Sequence, residues 1–325
     1  MNKNQIDVKE NYIYKLGNEL LAILLKDRSS KRNIIWATDN YAHRGFGYQS
    51  TDEITIAAIT GYNGSVVKPR TEKSRKEQTD RIRDKAEVFT PSWICNKQNN
   101  LVDEAWFGEA DVFNIETEKT WMASKTKIKF PTITNRIWQD YINDVRLEIT
   151  CGEAPYLVSR YDTVSGDAIE ISQRIGLLDR KLRVVSENTH SEDEWLDWTI
   201  KSYQNIYGYD WQGDNVLLAR ENLLFTFIDY FRAKFNKEPN LDTLLKIAEI
   251  LSWNIWQMDG LKYVIPDSCK EVEEGQFSLF DLSVEQKPCP GCISNDPYSH
   301  TGIYCMIKDW KAKKIVKFIS TLKKD

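Results

Sequence analysis

The residues of this sequence best equipped for chemistry fall in three places. Cys289 and Cys292 are separated by two residues, with His300 and Cys305 downstream, a donor set and spacing suited to a small structural zinc site. Cys269 can stand in for one of those ligands, and isolated reduced thiols are the alternative. Asp210 closes the apolar stretch Ile206-Tyr207-Gly208-Tyr209, where a carboxylate at a strand end can accept hydrogen bonds from ribose hydroxyls. Its alternative is to cap the helix that follows. The third place is Val145 to Tyr156, an apolar run that breaks at Cys151-Gly152 and meets Pro155 at the start of a helix or further loop. Small residues there let a ligand approach the backbone closely, although an ordinary strand–loop corner has the same pattern.

The elements that must position these residues are legible from periodicity. Strands are expected over 145–150 and 206–210, and a third over 254–261 that carries Asp259 into an Asp-Gly turn. Helices are expected over 12–25, 73–85, 92–103, 138–143, 214–231 and 241–251. Another helix begins at the capping box Ser191-Glu192-Asp193-Glu194. Residues 33–38 and 54–60 read as β-rich, within a small N-terminal satellite. Residues 108–131 read as a polar insertion and 159–188 as a surface excursion, because Arg174, Asp179, Arg180, Lys181 and Arg183 make the latter polar. Lys287 to Cys292 contains two prolines and cannot be a central strand.

Composition bounds the class. The chain has 325 residues, 41% hydrophobic and 12% aromatic, enough for one large packed domain with appendages. No apolar run approaches the roughly 18 residues of a membrane span, and Met1 to Asp7 lacks the apolar core of a signal peptide. The expectation is a cytoplasmic protein with no membrane partner, its six cysteines reduced or metal-bound. A net charge of −4 argues against a uniformly basic nucleic-acid coat but leaves two local basic runs, Lys68–Lys85 and Lys308–Lys324.

Four segments, in order, resemble the motifs of adenine-N6 DNA methyltransferases, the modification subunits of restriction–modification systems. Phe89-Thr90-Pro91 resembles the segment that lies against the bound cofactor. Glu148-Ile149-Thr150-Cys151-Gly152-Glu153-Ala154-Pro155-Tyr156 resembles the loop that wraps the methionine end of S-adenosylmethionine, with Ala154 where the family usually has a second glycine. Gly208-Tyr209-Asp210 followed by Ala219-Arg220-Glu221-Asn222-Leu223 resembles the ribose-binding strand and its helix. Asp259-Gly260-Leu261 resembles the Asp-x-Leu motif whose acid meets the cofactor's adenine amine.

The resemblance covers about Arg83 to Leu261. It implies an α/β, Rossmann-like S-adenosylmethionine-dependent methyltransferase fold over residues 73–266, with an N-terminal α+β extension over 1–72. A Cys-containing region with a zinc knuckle and basic tail occupies 267–325. The implied cofactor residues are Phe89, Thr90, Pro91, Glu148, Cys151, Gly152, Asp210 and Asp259. The family's catalytic Asn/Asp/Ser-Pro-Pro-Tyr loop has its nearest counterpart in Asn295-Asp296-Pro297-Tyr298, which doubles as a turn inside the zinc knuckle. The metal ligands expected are Cys289, Cys292, His300 and Cys305. The implied partners are DNA and a second subunit that supplies the catalytic loop and target recognition, for which the residues after Cys305 leave no room. The alternative is a non-catalytic DNA- or partner-binding subunit that reuses the fold.

Overall fold

The computed structural model describes residues 9–85, 87–131, 135–274 and 285–322. The segment Met1 to Asp7, Ala86 and the tail lysines Lys323 and Lys324 lie outside the described residues.

Three short parallel strands form the centre: β3 (Arg146–Ile149), β4 (Ile206–Asp210) and β5 (Ile255–Gln257), in the order β3-β4-β5. Antiparallel hairpins lie outside it: β1 (Asn114–Thr117) with β2 (Thr120–Ala123), β6 (Val272–Glu274) with β7 (Glu285–Lys287), and β8 (Met306–Asp309) with β9 (Lys314–Lys317). The chain is therefore mixed α/β with a parallel sheet. Among the described residues no helix is long and apolar enough to cross a membrane.

Helices connect the strands. They are α1 (Glu10–Leu16), α2 (Asn18–Leu25), α3 (Ile56–Ile59), α4 (Arg75–Lys85), α5 (Ser92–Phe107), α6 (Trp138–Asn143), α7 (Leu177–Asn188), α8 (Glu192–Gln204), α9 (Gly213–Phe235), α10 (Leu241–Asn254) and α11 (Pro290–Ser294). Side-chain caps start several of them. Ser191 Oγ accepts the Glu194 N–H at 3.2 Å at the head of α8, and Asn240 Oδ1 accepts the Thr243 N–H at 2.8 Å at the head of α10. The helix α9 is buried on nearly every side, so its apolar residues wrap the whole circumference rather than one stripe. Its first residue must be glycine, since a Cβ on Gly213 would stand 1.9 Å from the carbonyl oxygen of Ile35.

That contact belongs to a broader correction. Residues 12–72 are not a satellite: Ile13, Leu20, Leu24, Trp36 and Ile54 share one core with Leu217, Phe227 and Ile247. The expected helix over 12–25 breaks at Gly17, where a Cβ would press to 3.0 Å on Leu241 Cδ1. The expected β segments contribute isolated bridges at Asn33 and Ile35 and the short α3 instead. The insertion over 108–131 carries the β1–β2 hairpin.

The larger error concerns 159–188, which is not a surface excursion. Helix α7 lies within it, with Leu178, Leu182, Val184 and Val185 in the core. Its charges are satisfied internally: Arg180 donates to Asp103 at 2.6 Å, to Asn96 at 2.9 Å and to Asn100 at 2.7 Å. Lys181 donates to the carbonyl of Ile142 at 2.8 Å and to that of Asp144. A buried charge is tolerated only with such partners, and composition cannot display them. The basic run 68–85 likewise turns partly inward, with Lys73 and Arg81 buried.

Candidate functional site

The C-terminal ends of β3 and β4 open on one cleft of about 250 Å³. Its walls include Phe89 and Thr90 from the segment before α5, Glu148, Cys151 and Gly152 from the end of β3, and Asp210 from the end of β4. The parallel pairing of Glu148 with Gly208 and of Ile149 with Tyr209 brings the two strand ends level. The turn after β3 is then pinned to β4: Cys151 N–H donates to Tyr209 O at 2.8 Å and Gly152 N–H to Asp210 Oδ2 at 3.0 Å. Gly152 and Ala154 both lie in the left-handed region, with φ of 51° and 64°. Position 154 therefore keeps a glycine-like backbone although it is alanine, which costs on the order of 1 kcal/mol.

The cleft is strongly acidic. Burial pushes the Glu148 carboxyl well above its ordinary range, opposed by the N–H groups of Tyr156 and Leu157 and reinforced by Asp210. The Asp210 carboxyl is pushed up to about 6 by burial, with N–H bonds from Gln212 and Gly152 pulling the other way. Glu87 enters the same cleft and accepts Asn215 Nδ2–H at 2.8 Å, while Asn215 also reaches Asp210 at 3.4 Å. Arg81 holds Glu87 from behind and pairs with Asp214 at 2.8 Å. The Cys151 thiol is raised well above its usual range by burial and by Asp210, so it packs rather than reacts. Glu148 and Asp210, buried in the cleft wall and without an ion pair among the described residues, suit a ligand that brings hydroxyls or an ammonium group.

Two of the expected cofactor residues are not walls of this cleft. Pro91 precedes α5 as its N-cap residue. Asp259 follows β5 and closes its own turn, Oδ1 accepting the N–H groups of Leu261 at 2.9 Å and Lys262 at 3.1 Å. Glu87, Gln212 and Asn215 were missed by sequence reasoning. Glu87 offered only its place two residues before Phe89, and Asn215 only its place in the first turn of α9.

The thiol cluster lies elsewhere. The Sγ atoms of Cys269, Cys289 and Cys292 stand 3.6, 3.6 and 3.7 Å from His300 Nδ1, and all four ligand atoms lie within 4.8 Å of one another. A tetrahedral ion with bonds of about 2.3 Å to sulfur and about 2.0–2.1 Å to nitrogen requires sulfur–nitrogen edges of about 3.6 Å. The Cys₃His group is thus a candidate metal site. The expected ligand Cys305 is replaced by Cys269. The Cys305 backbone is held by Tyr263 O and by the Phe318 N–H, and its thiol turns under the sheet, donating to Gln257 O at 3.3 Å. Burial lifts the Cys269 thiol to about 12, while at Cys289 hydrogen bonds from Thr301 outweigh burial and lower it to about 5.

Asn295 to Tyr298 belong to this cluster's loop. Asp296 accepts the Tyr298 N–H at 3.0 Å and the Ser299 hydroxyl, and Pro297 O accepts the Tyr304 hydroxyl at 2.9 Å. None of the four residues lines the acidic cleft.

No protein-family model, curated protein or solved structure matches this chain.

Proposed function

We propose that this chain is an S-adenosylmethionine-binding module of adenine-N6 DNA methylation in a restriction–modification system, with the target amine held by a loop from a second subunit. The observation that carries the reading is convergence. Phe89 and Thr90, Glu148 with Cys151 and Gly152, and Asp210 come from three separate stretches and meet in one cleft at the ends of adjacent parallel strands. The strand order β5-β4-β3 is that of one half of a doubly wound sheet, whose ligands lie beyond the carboxyl ends of its strands. In this reading the cofactor supplies an electrophilic methyl group. Asp210 accepts the ribose hydroxyls, and the Glu148 end of the cleft faces the methionine ammonium. The position of Asn295–Tyr298 outside the cleft supports a split enzyme over catalysis by this chain alone. The Cys₃His cluster is read as a structural zinc site.

Calorimetric titration with S-adenosylmethionine tests the reading, followed by tritium-methyl transfer to DNA. Asp210→Asn should weaken binding by about 10- to 100-fold, the worth of hydrogen bonds to a charged acceptor. Acidity should act with opposite signs on binding and on folding. Cofactor affinity falls as pH drops through about 6, where Asp210 takes up its proton. The raised carboxyl contributes to the stability of the free chain fully below its ordinary range near 3.8, and that contribution is lost as pH rises through about 6. An affinity unchanged by Asp210→Asn removes this residue from the pocket, and absence of any binding removes the cofactor reading.

A further inference from the structure

The central sheet is unevenly protected. At its β5 edge the chain covers itself: the backbone carbonyl of Ile255 accepts Arg220 Nε–H at 2.8 Å and that of Gln257 accepts the Cys305 thiol at 3.3 Å. At the other edge, β3 pairs only with β4 among the described residues. Alternate residues of a parallel strand bond to opposite sides. Arg146 donates to Asn205 O on the β4 side, so the backbone groups of Leu147 and Ile149 point outward.

The face carried by the same residues is open too. Leu147 and Ile149 share a face with their register partners Tyr207 and Tyr209, and Tyr209 with Trp256. Over β4 and β5 this face is closed by Phe318, Ile265 and Cys305. Over β3 the cover stops, leaving Val145 58%, Leu147 39% and Ile149 65% exposed. An edge strand in a protein that works alone normally carries lysine, proline or a bulge, and these three outward residues are all branched apolar ones. The β8–β9 hairpin next to the open face carries five lysines against one acid, Asp309. The hydroxyl of Tyr207 donates to Lys308 O at 3.0 Å, which places the β8–β9 hairpin beside it, with Lys311, Lys313 and Lys314 exposed.

We propose that the outer edge of β3 is the docking site of a second polypeptide, which adds a parallel strand with apolar residues on alternate positions and acidic residues flanking them. Three features specify this occupant. The outward N–H and C=O row demands an extended chain, the uncovered Leu147–Ile149 face demands apolar side chains, and the lysines demand negative charge. The inference rests on the proposed function, because a strand added there ends beside Cys151 and Gly152. Its following loop would then enter the cleft where a doubly wound sheet reverses its order.

The probe is a synthetic nine-residue peptide of alternating valine and threonine with two glutamates at each end. Binding is read by fluorescence anisotropy, and amide exchange at Leu147 and Ile149 is read by NMR. The expected result is rapid exchange at both amides in the free chain, saturable binding, and protection of both amides in the complex. Ile149→Pro removes one outward donor without touching the β4 ladder and should weaken binding by about tenfold. Ile149→Asp should do the same, by replacing an apolar contact with a negative charge that repels the acidic flanks of the partner. Protection of both amides in the isolated monomer would mean that a segment of this chain covers the edge, and would overturn the proposal. Concentration-dependent self-association that protects the same amides would assign the edge to a second copy and overturn it equally. No binding by the peptide, with both amides still exchanging, also refutes it. Cofactor titration is independent: a chain that binds S-adenosylmethionine but no strand defeats this inference alone, and one that binds the strand but no cofactor defeats the proposed function alone.

Discussion

Replacing Arg220 by methionine is expected to destabilise the chain by about 3–5 kcal/mol. Arg220 is fully buried in α9, and its partners are carbonyl oxygens. One Nη reaches Leu24 O and Lys26 O at the end of α2. Nε reaches Ile255 O at 2.8 Å and the other Nη reaches Ser252 O at 3.2 Å, at the end of α10. The last carbonyls of a helix have no partner within it and carry partial negative charge, so one guanidinium caps two helices at once. Burial pulls that guanidinium down to about 9, which still leaves it charged at neutral pH. Methionine fills similar space but strands the carbonyls, each at about 1–3 kcal/mol if water cannot reach it. Urea unfolding measures the loss. Arg220→Lys should fall between the two, because an ammonium cannot span both helix ends. A loss under about 1 kcal/mol for the methionine variant would mean that water replaces the guanidinium.

Chelation of the zinc proposed for the Cys₃His cluster is expected to have the second large effect, confined to one part of the molecule. Purified protein should carry one zinc per chain, and its removal should loosen the segments that converge on the cluster. Those segments are tied to each other by Ile265 N–H to Ile303 O at 2.9 Å and the Val264–Tyr304 bridge, and among the described residues they reach the end of the sheet through Asp259 N–H to Val264 O at 2.8 Å, Cys305 N–H to Tyr263 O at 3.0 Å and the Cys305 thiol to Gln257 O at 3.3 Å. Structural zinc in isolated fingers supplies about 10–16 kcal/mol, more than such links provide. Amide exchange across residues 264–274 and 285–305 should rise sharply on chelation, while exchange in α9 stays slow. Two cysteines separate the ligand set from its neighbours. Cys269→Ser should lower zinc content and affinity, and Cys305→Ser should leave both intact, since its thiol donates to Gln257 O and packs in the apolar cluster with Tyr209 and Trp256. The reverse pattern would show that the ligand set is wrong.

The sequence by itself determined many of the helices and the order of the three parallel strands along the chain. The helix 138–143 and the strand 206–210 fall where periodicity put them. The Ser191 cap starts α8 because a hydroxyl and an N–H three residues apart need nothing beyond the local backbone. The clustering of Glu148, Cys151, Gly152 and Asp210 was legible as well, since each sits at a strand end and parallel strands present those ends together. What only the tertiary structure decided was where the polar groups go. Arg180 and Lys181 read as surface residues because charge predicts exposure until a partner is known, and the partners come from α5 and α6. Trp36 and Ile54 read as parts of a satellite because the close approach of Ile35 to Gly213 has no local signature. Cys269 displaced Cys305 for the same kind of reason. Ligand spacing restricts which thiols can meet, but the side of the backbone each one takes is set by the long-range bonds that fix residue 305 against Tyr263 and Phe318.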